Sequence, residues 1–235
     1  MIRIDGLDLV KECIELDIVD STNQYALDTG KPALLVIARE QSAGRGRKGR
    51  QWQSPSGLNV YLTMTLGAPD PRYPIVAGVA VRAHVESLLG EADVKIKWPN
   101  DILIRKRKVC GILCESRGGI TAVGIGVNTN QTSWPDEIKD KAISLCLVSG
   151  RTYEIDDVIR GILESMDRWF GIYQGVGFAP VRENFLANSL SRGCWARLED
   201  GSLCRIMDLT LDGQLVVDVS GRLQTVLGGD VTLDY

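Results

Sequence analysis

Short apolar runs alternate with longer stretches whose apolar residues have helical spacing along most of this chain. Runs that fit strands lie at residues 10–19, 33–38, 58–65, 94–97, 102–104, 109–115 and 120–128. Helical spacing marks residues 73–89, 155–173 and 180–187. Asp20-Ser-Thr-Asn23 is typical of the capped start of a further helix, which we expect to run to Leu27. We expect the runs at 102–104 and 109–115 to form a hairpin that turns at residues 105–108. This interleaving predicts an α+β domain.

The pattern changes after about Ser191, where turn signals become frequent. They are Asp200-Gly201, Asp212-Gly213, Ser220-Gly221 and Gly228-Gly229. Their spacing is that of consecutive short hairpins. Five strands in roughly 40 residues predict a small β-barrel appended to the α+β domain.

Composition narrows the functional classes. The 235 residues are 44% apolar and 24% charged, which is typical of a globular protein. A net charge of -3 and a pI near 5.3 argue against a general nucleic-acid binder, so positive charge must be local. The acidic N-terminus argues against a signal peptide, and there is no apolar run of the roughly 20 residues that a membrane helix needs. Six scattered cysteines and a single histidine, His84, predict free thiols in a reducing cytoplasm and no structural zinc site.

The segment Gln41-Ser-Ala-Gly-Arg-Gly-Arg-Lys-Gly-Arg-Gln-Trp52 combines three glycines with four cations. Burial cannot hold such a loop, so we expect its conformation to depend on an anionic ligand. Glycines let the backbone approach a phosphate, and charge comes from Arg45, Arg47, Lys48 and Arg50. The basic run alone also fits a solvated surface loop. Residues 44–49 satisfy GxGxxG, but no helix start follows and no GK[ST] motif is present, so neither nucleotide-binding fingerprint applies.

Four further motifs are ambiguous when each is taken alone. Lys97-Trp-Pro-Asn-Asp101 either ends a strand or presents an amide, a carboxylate and an aromatic ring there. Lys108, in Lys108-Val-Cys-Gly-Ile-Leu-Cys-Glu115, follows three cations and fits a solvated hairpin cation. Asp20-Ser-Thr-Asn23 is a helix cap or a ligand contact, and Gly124-Ile-Gly-Val-Asn128 either closes a strand or faces a ligand.

Taken together and in this order, these five segments resemble the biotin protein ligases, in the short form without a DNA-binding domain. Ser21 follows only twenty residues, which leaves no room for the winged helix-turn-helix of regulatory members. The resemblance implies a mixed β-sheet flanked by helices, as in class II aminoacyl-tRNA synthetases, over residues 1–188. It implies an SH3-like barrel over residues 189–235. Asp234 stands where some relatives carry a basic residue, which removes one basis for a nucleotide contact from that barrel.

For function, the resemblance implies a ligase that activates biotin with ATP as biotinyl-5′-adenylate, releasing pyrophosphate, and then transfers biotin to a lysine. It implies Mg²⁺ as the ion that accompanies ATP. The implied partner is a biotin carboxyl carrier protein or domain of a biotin-dependent carboxylase or decarboxylase. The implied state is a cytoplasmic homodimer without contact to DNA or membrane.

The resemblance also assigns roles to residues. The catalytic residues are Lys108 and Arg47. The biotin-binding residues are Ser21, Thr22, Asn23, Gln41, Arg45, Gly46, Arg47, Lys108 and Gly111. The residues that bind ATP or the adenylate are Arg45, Arg47, Arg50, Trp52, Asn100, Asp101 and Asn128, and Asp101 is also the implied Mg²⁺ ligand. These cations suit the chemistry, because a carboxylate attacking an α-phosphate brings two anions together.

Two other readings stay open at this point. A lipoate–protein ligase would share the fold and the adenylation chemistry, but the Arg-Arg-Gly-Gly-Gly stretch and His-Asp pair of that family are absent, and His84 lies in a predicted helix. A nucleic-acid-binding module would use the basic loop and the 105–108 turn, which the acidic pI and the lack of a recognition helix disfavour.

Overall fold

A mixed β-sheet forms the centre of the larger part of the molecule. The computed structural model describes residues 2–90, 92–226 and 231–233. Within them the sheet consists of β1 (Glu12–Val19), β2 (Leu34–Gln41), β3 (Val60–Leu66), β4 (Val94–Lys97), β5 (Asp101–Ile104), β6 (Arg107–Arg117) and β7 (Ile120–Val127). The strand order is β1-β2-β3-β7-β6-β5-β4. β1 and β2 are parallel, and the other neighbours are antiparallel.

Helices cover both faces of this sheet. They are α1 (Thr22–Thr29), α2 (Tyr73–Leu89), α3 (Leu145–Ser149), α4 (Ile155–Val176) and α5 (Ala179–Ala187). Successive residues of β2 point to opposite faces of the sheet. Leu35 belongs to the large core on the side of α2 and α4, whereas Leu34 packs with Ala26 of α1 on the other side. Covering on both sides explains why every residue of β3 is buried.

The predicted helices and strands of the first part are confirmed, with shifted ends at most of them. α2 has the predicted bounds, since a proline lies in its first turn and Gly90 follows its end. Ser21 caps α1 as predicted, its Oγ accepting from Gln24 N at 3.4 Å. The short helix α3 was not predicted.

The predicted turn at residues 105–108 is wrong. The β5–β6 turn has only Arg105 and Lys106 at its centre, both with positive φ (51° and 63°). Two residues of this conformation match the twist of the flanking strands. Lys108 therefore belongs to β6 and does not lie in the turn.

A second, antiparallel sheet follows α5. Within the described residues its strands are β8 (Trp195–Arg197), β9 (Leu203–Leu209), β10 (Leu215–Val219), β11 (Arg222–Val226) and β12 (Thr232–Leu233), in the order β11-β10-β9-β8-β12. Three predicted turns separate its strands, whereas Gly228-Gly229 and Asp234 lie outside the described residues. The α+β class with a separate C-terminal sheet is confirmed, and the boundary between residues 188 and 189 stays a prediction.

The second sheet is attached to the first part through specific contacts. Trp98, which follows β4, donates from Nε1 to Gly213 O in the β9–β10 turn at 3.2 Å. A Cβ on Gly213 would lie 2.9 Å from Ile75 Cδ1 of α2. Arg182 of α5 forms an ion pair with Asp208 of β9 at 2.7 Å. The β9–β10 turn therefore packs against the 97–101 segment at Trp98.

The cysteines behave as expected from their scatter. All six are free thiols. Burial raises the pKa of Cys13 to about 11 and that of Cys114 to about 12, so both stay protonated at neutral pH. Among the helices of the described segments, none combines the length and the apolar character needed to cross a membrane.

Candidate active site

A cavity of about 550 Å³ lies on the α1 side of the main sheet. Its walls come from the start of α1, the 41–52 loop, the middle of β6 and β7, and the 97–101 segment. Every predicted site residue lines it, namely Ser21, Thr22, Asn23, Gln41, Arg45, Gly46, Arg47, Arg50, Trp52, Asn100, Asp101, Lys108, Gly111 and Asn128. The fold thus brings together residues that lie up to about a hundred positions apart, while their individual roles stay predictions.

Three glycines remove side chains from the sheet beneath this cavity. Gly111 of β6 pairs with Gly126 of β7, and Gly124 lies on the same face two residues earlier. A Cβ on Gly126 would lie 2.5 Å from Trp52 Nε1, and one on Gly111 would lie 3.1 Å from Trp52 Cζ3. A Cβ on Gly124 would overlap Asn23 Oδ1. Glycine therefore lets the Trp52 indole and the Asn23 amide rest directly on the backbone.

The Asn23 amide is fixed from three sides. Its Nδ2 donates to Leu113 O at 3.1 Å and to Glu115 Oε2 at 2.8 Å. Its Oδ1 accepts from the fully buried Thr63 hydroxyl at 2.7 Å. Both N–H groups are therefore used, and the oxygen has one lone pair left. Towards a ligand, Asn23 can act only as a hydrogen-bond acceptor.

Gln41 has the opposite remaining capacity, and Ser21 can both donate and accept. Gln41 Oε1 accepts from Thr22 N at 2.9 Å and from Thr22 Oγ1 at 3.2 Å, and its Nε2 donates to Ser54 Oγ at 2.9 Å. One N–H of Gln41 is left. Ser21 Oγ accepts from Gln24 N and, among the described residues, donates to no other group. The Ser21 hydroxyl keeps its O–H and one lone pair, so this corner of the cavity offers two donors and two acceptors.

Lys108 extends from β6 into the cavity as a paired cation. Its Nζ lies 2.6 Å from Asp101 Oδ1 and 5.2 Å from the centre of the Trp52 ring. Its side chain is about one-third exposed (32%). The reading of Lys108 as a solvated hairpin cation is therefore wrong, because the two-residue turn leaves it in β6, paired in register with Leu103 of β5 and within reach of Asp101.

The backbone of Lys108 is held as well. Its N–H donates to Lys141 O at 2.7 Å, and its carbonyl accepts from Ile143 N at 3.0 Å. Asn128 Nδ2 donates to the same carbonyl and to Ile143 O, each at 3.2 Å. Asn128 thus lines the cavity and also fixes the strand that carries Lys108.

The 44–52 loop folds over the cavity with polar anchors. Gly46 N donates to Arg50 O at 2.7 Å, and Trp52 N donates to Gly44 O at 2.9 Å. Arg47 Nη1 donates to Asn100 Oδ1 at 3.3 Å. Two ion pairs connect the loop with other segments: Arg45 pairs with Glu115 at 3.2 Å, and Lys48 pairs with Glu199 in the β8–β9 turn. Polar contacts of this kind are weak when exposed, so they fit a cover that opens.

Positive charge dominates the cavity wall. Within the described residues the only carboxylate in that wall is Asp101. The cations there are Arg45, Arg47, Arg50, Lys97, Lys106, Lys108 and Lys141. Such a cavity favours an anionic ligand.

The described part of the cavity wall offers a metal ion one carboxylate ligand, Asp101. No group of three or more His, Cys, Asp or Glu side chains in the described ranges is arranged to hold a metal ion. Mg²⁺ commonly takes one or two carboxylates together with substrate phosphates. Asp101 therefore fits a Mg²⁺ ion only beside phosphate oxygens.

Several residues that line the cavity were not predicted from the sequence. Trp134, Ile138 and Lys141 come from the stretch between β7 and α3, which has no regular apolar spacing. The pair Trp134-Pro135 was the available signal, since it repeats Trp98-Pro99. Tyr61 of β3 also lines the cavity, and burial raises its pKa, so its phenol stays protonated and donates to Pro55 O at 3.0 Å.

Comparisons with known proteins give consistent matches. Residues 15–131 match the biotin/lipoate A/B protein ligase family. The chain is 32% identical to the bifunctional ligase/repressor BirA of Bacillus spizizenii, over 92% of this chain and 72% of the relative. It is 36% identical to the biotin--[acetyl-CoA-carboxylase] ligase of Paracoccus denitrificans, over 74% and 79%. The biotin protein ligase from Aquifex aeolicus, solved in complex with biotin and ATP, has a TM-score of 0.87 at 27% identity and covers 95% of this chain and 99% of its own.

Proposed function

This chain belongs to the biotin/lipoate A/B protein ligase family, and from that premise we propose that it is an ATP-dependent biotin–protein ligase. In the first step a biotin carboxylate oxygen attacks the α-phosphorus of ATP. An O–P bond forms, the bond to pyrophosphate breaks, and biotinyl-5′-AMP results. In the second step the amine of a carrier lysine attacks the acyl carbon, AMP leaves, and the nitrogen loses a proton.

The observation that carries this proposal is the pairing of two subsites in one cavity. A ureido ring has two N–H donors and one carbonyl acceptor. The corner formed by Asn23, Gln41 and Ser21 offers two acceptors and two donors. The cationic wall around Lys108 then suits a carboxylate beside phosphates. The dithiolane ring of lipoate has no N–H or carbonyl group and would leave this corner unpaired.

The residues of this chain have distinct tasks in the proposal. Lys108, fixed at its backbone and paired with Asp101, neutralises charge at the reacting oxygens. Arg45 and Arg47 bring further positive charge from the loop above. That loop also keeps water from the acyl-adenylate between the two steps. When Mg²⁺ is bound with ATP it adds charge neutralisation at the phosphates, and Asp101 is the residue that would hold it.

The partner and cellular setting follow as finer parts of the same proposal. The acceptor is a lysine on a biotin carboxyl carrier protein or domain, as the acetyl-CoA-carboxylase named for the Paracoccus relative suggests. Cytoplasmic location is supported by the six free thiols. A homodimer is supported by the position of β1 at an edge of the main sheet. Light scattering tests the dimer, and a monomer at all concentrations would contradict it.

One assay tests the proposed activity. The protein is incubated with Mg²⁺, ATP and either biotin or lipoate, and pyrophosphate is measured. We expect pyrophosphate with biotin and only background with lipoate. Release with lipoate alone would establish the lipoate ligase reading. Release with neither, together with salt-sensitive DNA binding, would favour a nucleic-acid-binding module.

A further inference from the structure

The Glu115 carboxylate connects the floor of the cavity with its cover. Glu115 lies near the end of β6, and its Oε2 accepts from Asn23 Nδ2 at 2.8 Å and from Arg45 Nη2 at 3.2 Å. Asn23 belongs to α1, whereas Arg45 belongs to the 44–52 loop. Both line the cavity, and the Glu115 side chain is only 30% exposed. One oxygen atom thus fixes two cavity residues from different segments.

For Asn23, this contact decides which way the amide faces. The Thr63 hydroxyl donates to Asn23 Oδ1, and Leu113 O accepts from Asn23 Nδ2, so both favour the present orientation of the amide. Leu113 O accepts only one of the two N–H groups of Asn23. Glu115 takes the second. Without the carboxylate, that N–H would lose a charge-assisted bond and the amide could rotate its donors towards the cavity. A ligand that needs an acceptor at Asn23 would then bind less tightly.

For Arg45, the carboxylate determines where the loop begins to cover the cavity. Arg45 Nη2 also donates to Gln24 Oε1 of α1 at 3.2 Å. The guanidinium is therefore held between α1 and the end of β6. This attaches the first part of the loop to the ureido-matching corner and leaves the segment from Arg47 onward to other contacts.

We propose that Glu115 is a positioning residue for biotin, acting through Asn23 and Arg45 without touching the substrate. This inference rests on the proposed biotin ligase function. Glu115 orders the corner formed by Asn23, Gln41 and Ser21, where we place the ureido ring. It has no contact with Lys108, Asp101 or Asn100 in the other half of the cavity. Glu115 should therefore affect biotin affinity much more strongly than nucleotide affinity, to which it is linked only through Arg45.

Steady-state kinetics of pyrophosphate release, with an unmodified biotin carboxyl carrier domain present as acceptor, test this role. We expect Glu115→Ala to raise the KM for biotin about 10- to 30-fold, as for the loss of a charged hydrogen bond, with the KM for ATP and kcat within about threefold of wild type. Glu115→Gln keeps an acceptor oxygen and nearly the same shape, so it should recover most of the affinity. Glu164→Gln removes an exposed carboxylate that pairs with Arg160 on α4, and it serves as the matched control.

A double-mutant cycle separates positioning from general destabilisation. If Glu115 acts partly through Asn23 and partly through Arg45, the loss of biotin affinity in the Asn23→Ala/Glu115→Ala protein should be clearly smaller than the sum of the two single losses. An unchanged KM for biotin in Glu115→Ala overturns the role. Equal increases in both KM values with a lowered Tm, or additive effects in the cycle, overturn it as well. Turnover of the wild-type protein on biotin tests the ligase function separately, because the Glu115 comparison uses ratios to that rate.

Discussion

At the scale of single residues, the site depends on polar groups whose remaining hydrogen-bonding capacity is narrow. Asn23 can only accept and Gln41 can only donate, because their other atoms are already bonded within the protein. Such groups select a ligand by the penalty for a mismatch, since a buried polar atom without a partner costs about 1–3 kcal/mol. Specificity for a ureido ring over an apolar ring follows from this arithmetic.

Lys108 gives the most direct test at this scale. Replacing it with alanine removes an ammonium group that we propose to lie beside the phosphates of ATP, and we expect pyrophosphate release to fall about 10²- to 10³-fold, as for the loss of other preorganised charge stabilisers. The Tm should change little, because the side chain is about one-third exposed and the strand is held by its backbone. Lys139→Ala, which removes an exposed cation paired with Asp136, is the control. Near-normal pyrophosphate release would remove Lys108 from the mechanism.

At the scale of elements, the 44–52 loop is held by polar contacts and ion pairs with little burial. We expect trypsin to cleave after Arg45, Arg47, Lys48 or Arg50 in the protein without ligand, and biotin with ATP to slow this cleavage at least about tenfold by ordering the loop. Timed proteolysis followed by mass spectrometry measures the effect. Cleavage after Lys139, outside the loop, serves as the internal reference. Equal rates with and without ligands would show that the loop does not close on them.

The contact between α2 and α4 carries a pH effect. His84 lies against Gly161, where a Cβ would overlap its ring, and its buried Nε2 has no hydrogen-bond partner among the described residues. Burial lowers the pKa of His84, while the charge of Glu164 acts in the opposite direction. The unfolded chain therefore binds the proton more readily than the folded one, and stability falls as pH drops below the ordinary value of 6.5.

Urea unfolding between about pH 7.5 and pH 5.5 measures this effect against the usual histidine range. The wild-type protein should lose stability over that interval. His84→Gln, which does not titrate, should lose less. The difference between the two curves isolates the histidine from other acid effects. Parallel curves would show that His84 is not the group responsible.

Some elements of this fold could be predicted from the sequence, and others could not. α2 was predictable because Pro74 and Gly90 mark its ends locally. The stretch after β7 was not, because it is held by distant partners: Asn130 bonds with Tyr153, and Gln131 bonds with Asn59. For the site, the residues predicted through the family resemblance all line the cavity, and their individual roles stay predictions. Trp134, Ile138 and Lys141 carry no local pattern, and only the fold brings them to the cavity.

At the scale of the whole molecule, the second sheet touches both sides of the cavity. Glu199 pairs with Lys48 of the loop, and the β9–β10 turn supports Trp98 beside Asn100 and Asp101. Stability of the second sheet and order of the site are therefore coupled. A change far from the ligands can act on them through this support.

Trp98→Phe tests the contact between the β9–β10 turn and the 97–101 segment on which this coupling depends. The buried indole is 5% exposed, and its loss leaves Gly213 O without this donor, so we expect the free energy of unfolding to fall by about 1–3 kcal/mol. Trp195→Phe is the matched control, because that ring is 54% exposed and its change should cost within about 0.5 kcal/mol. Calorimetric unfolding measures both. Equal losses in the two variants would show that the turn does not depend on Trp98.

The placement of Trp52 has one more consequence. Its ring lies on bare backbone at Gly111 and Gly126 with an ammonium group 5.2 Å from its centre, so its excited state senses whatever enters the cavity. Fluorescence of the unlabelled protein should therefore shift when biotin and ATP arrive, and the Trp52→Phe protein should not show that shift. An identical spectral change in both proteins would assign the signal to another indole. The chain thus carries an intrinsic optical probe in the wall of its cavity, readable in a stopped-flow mixing experiment.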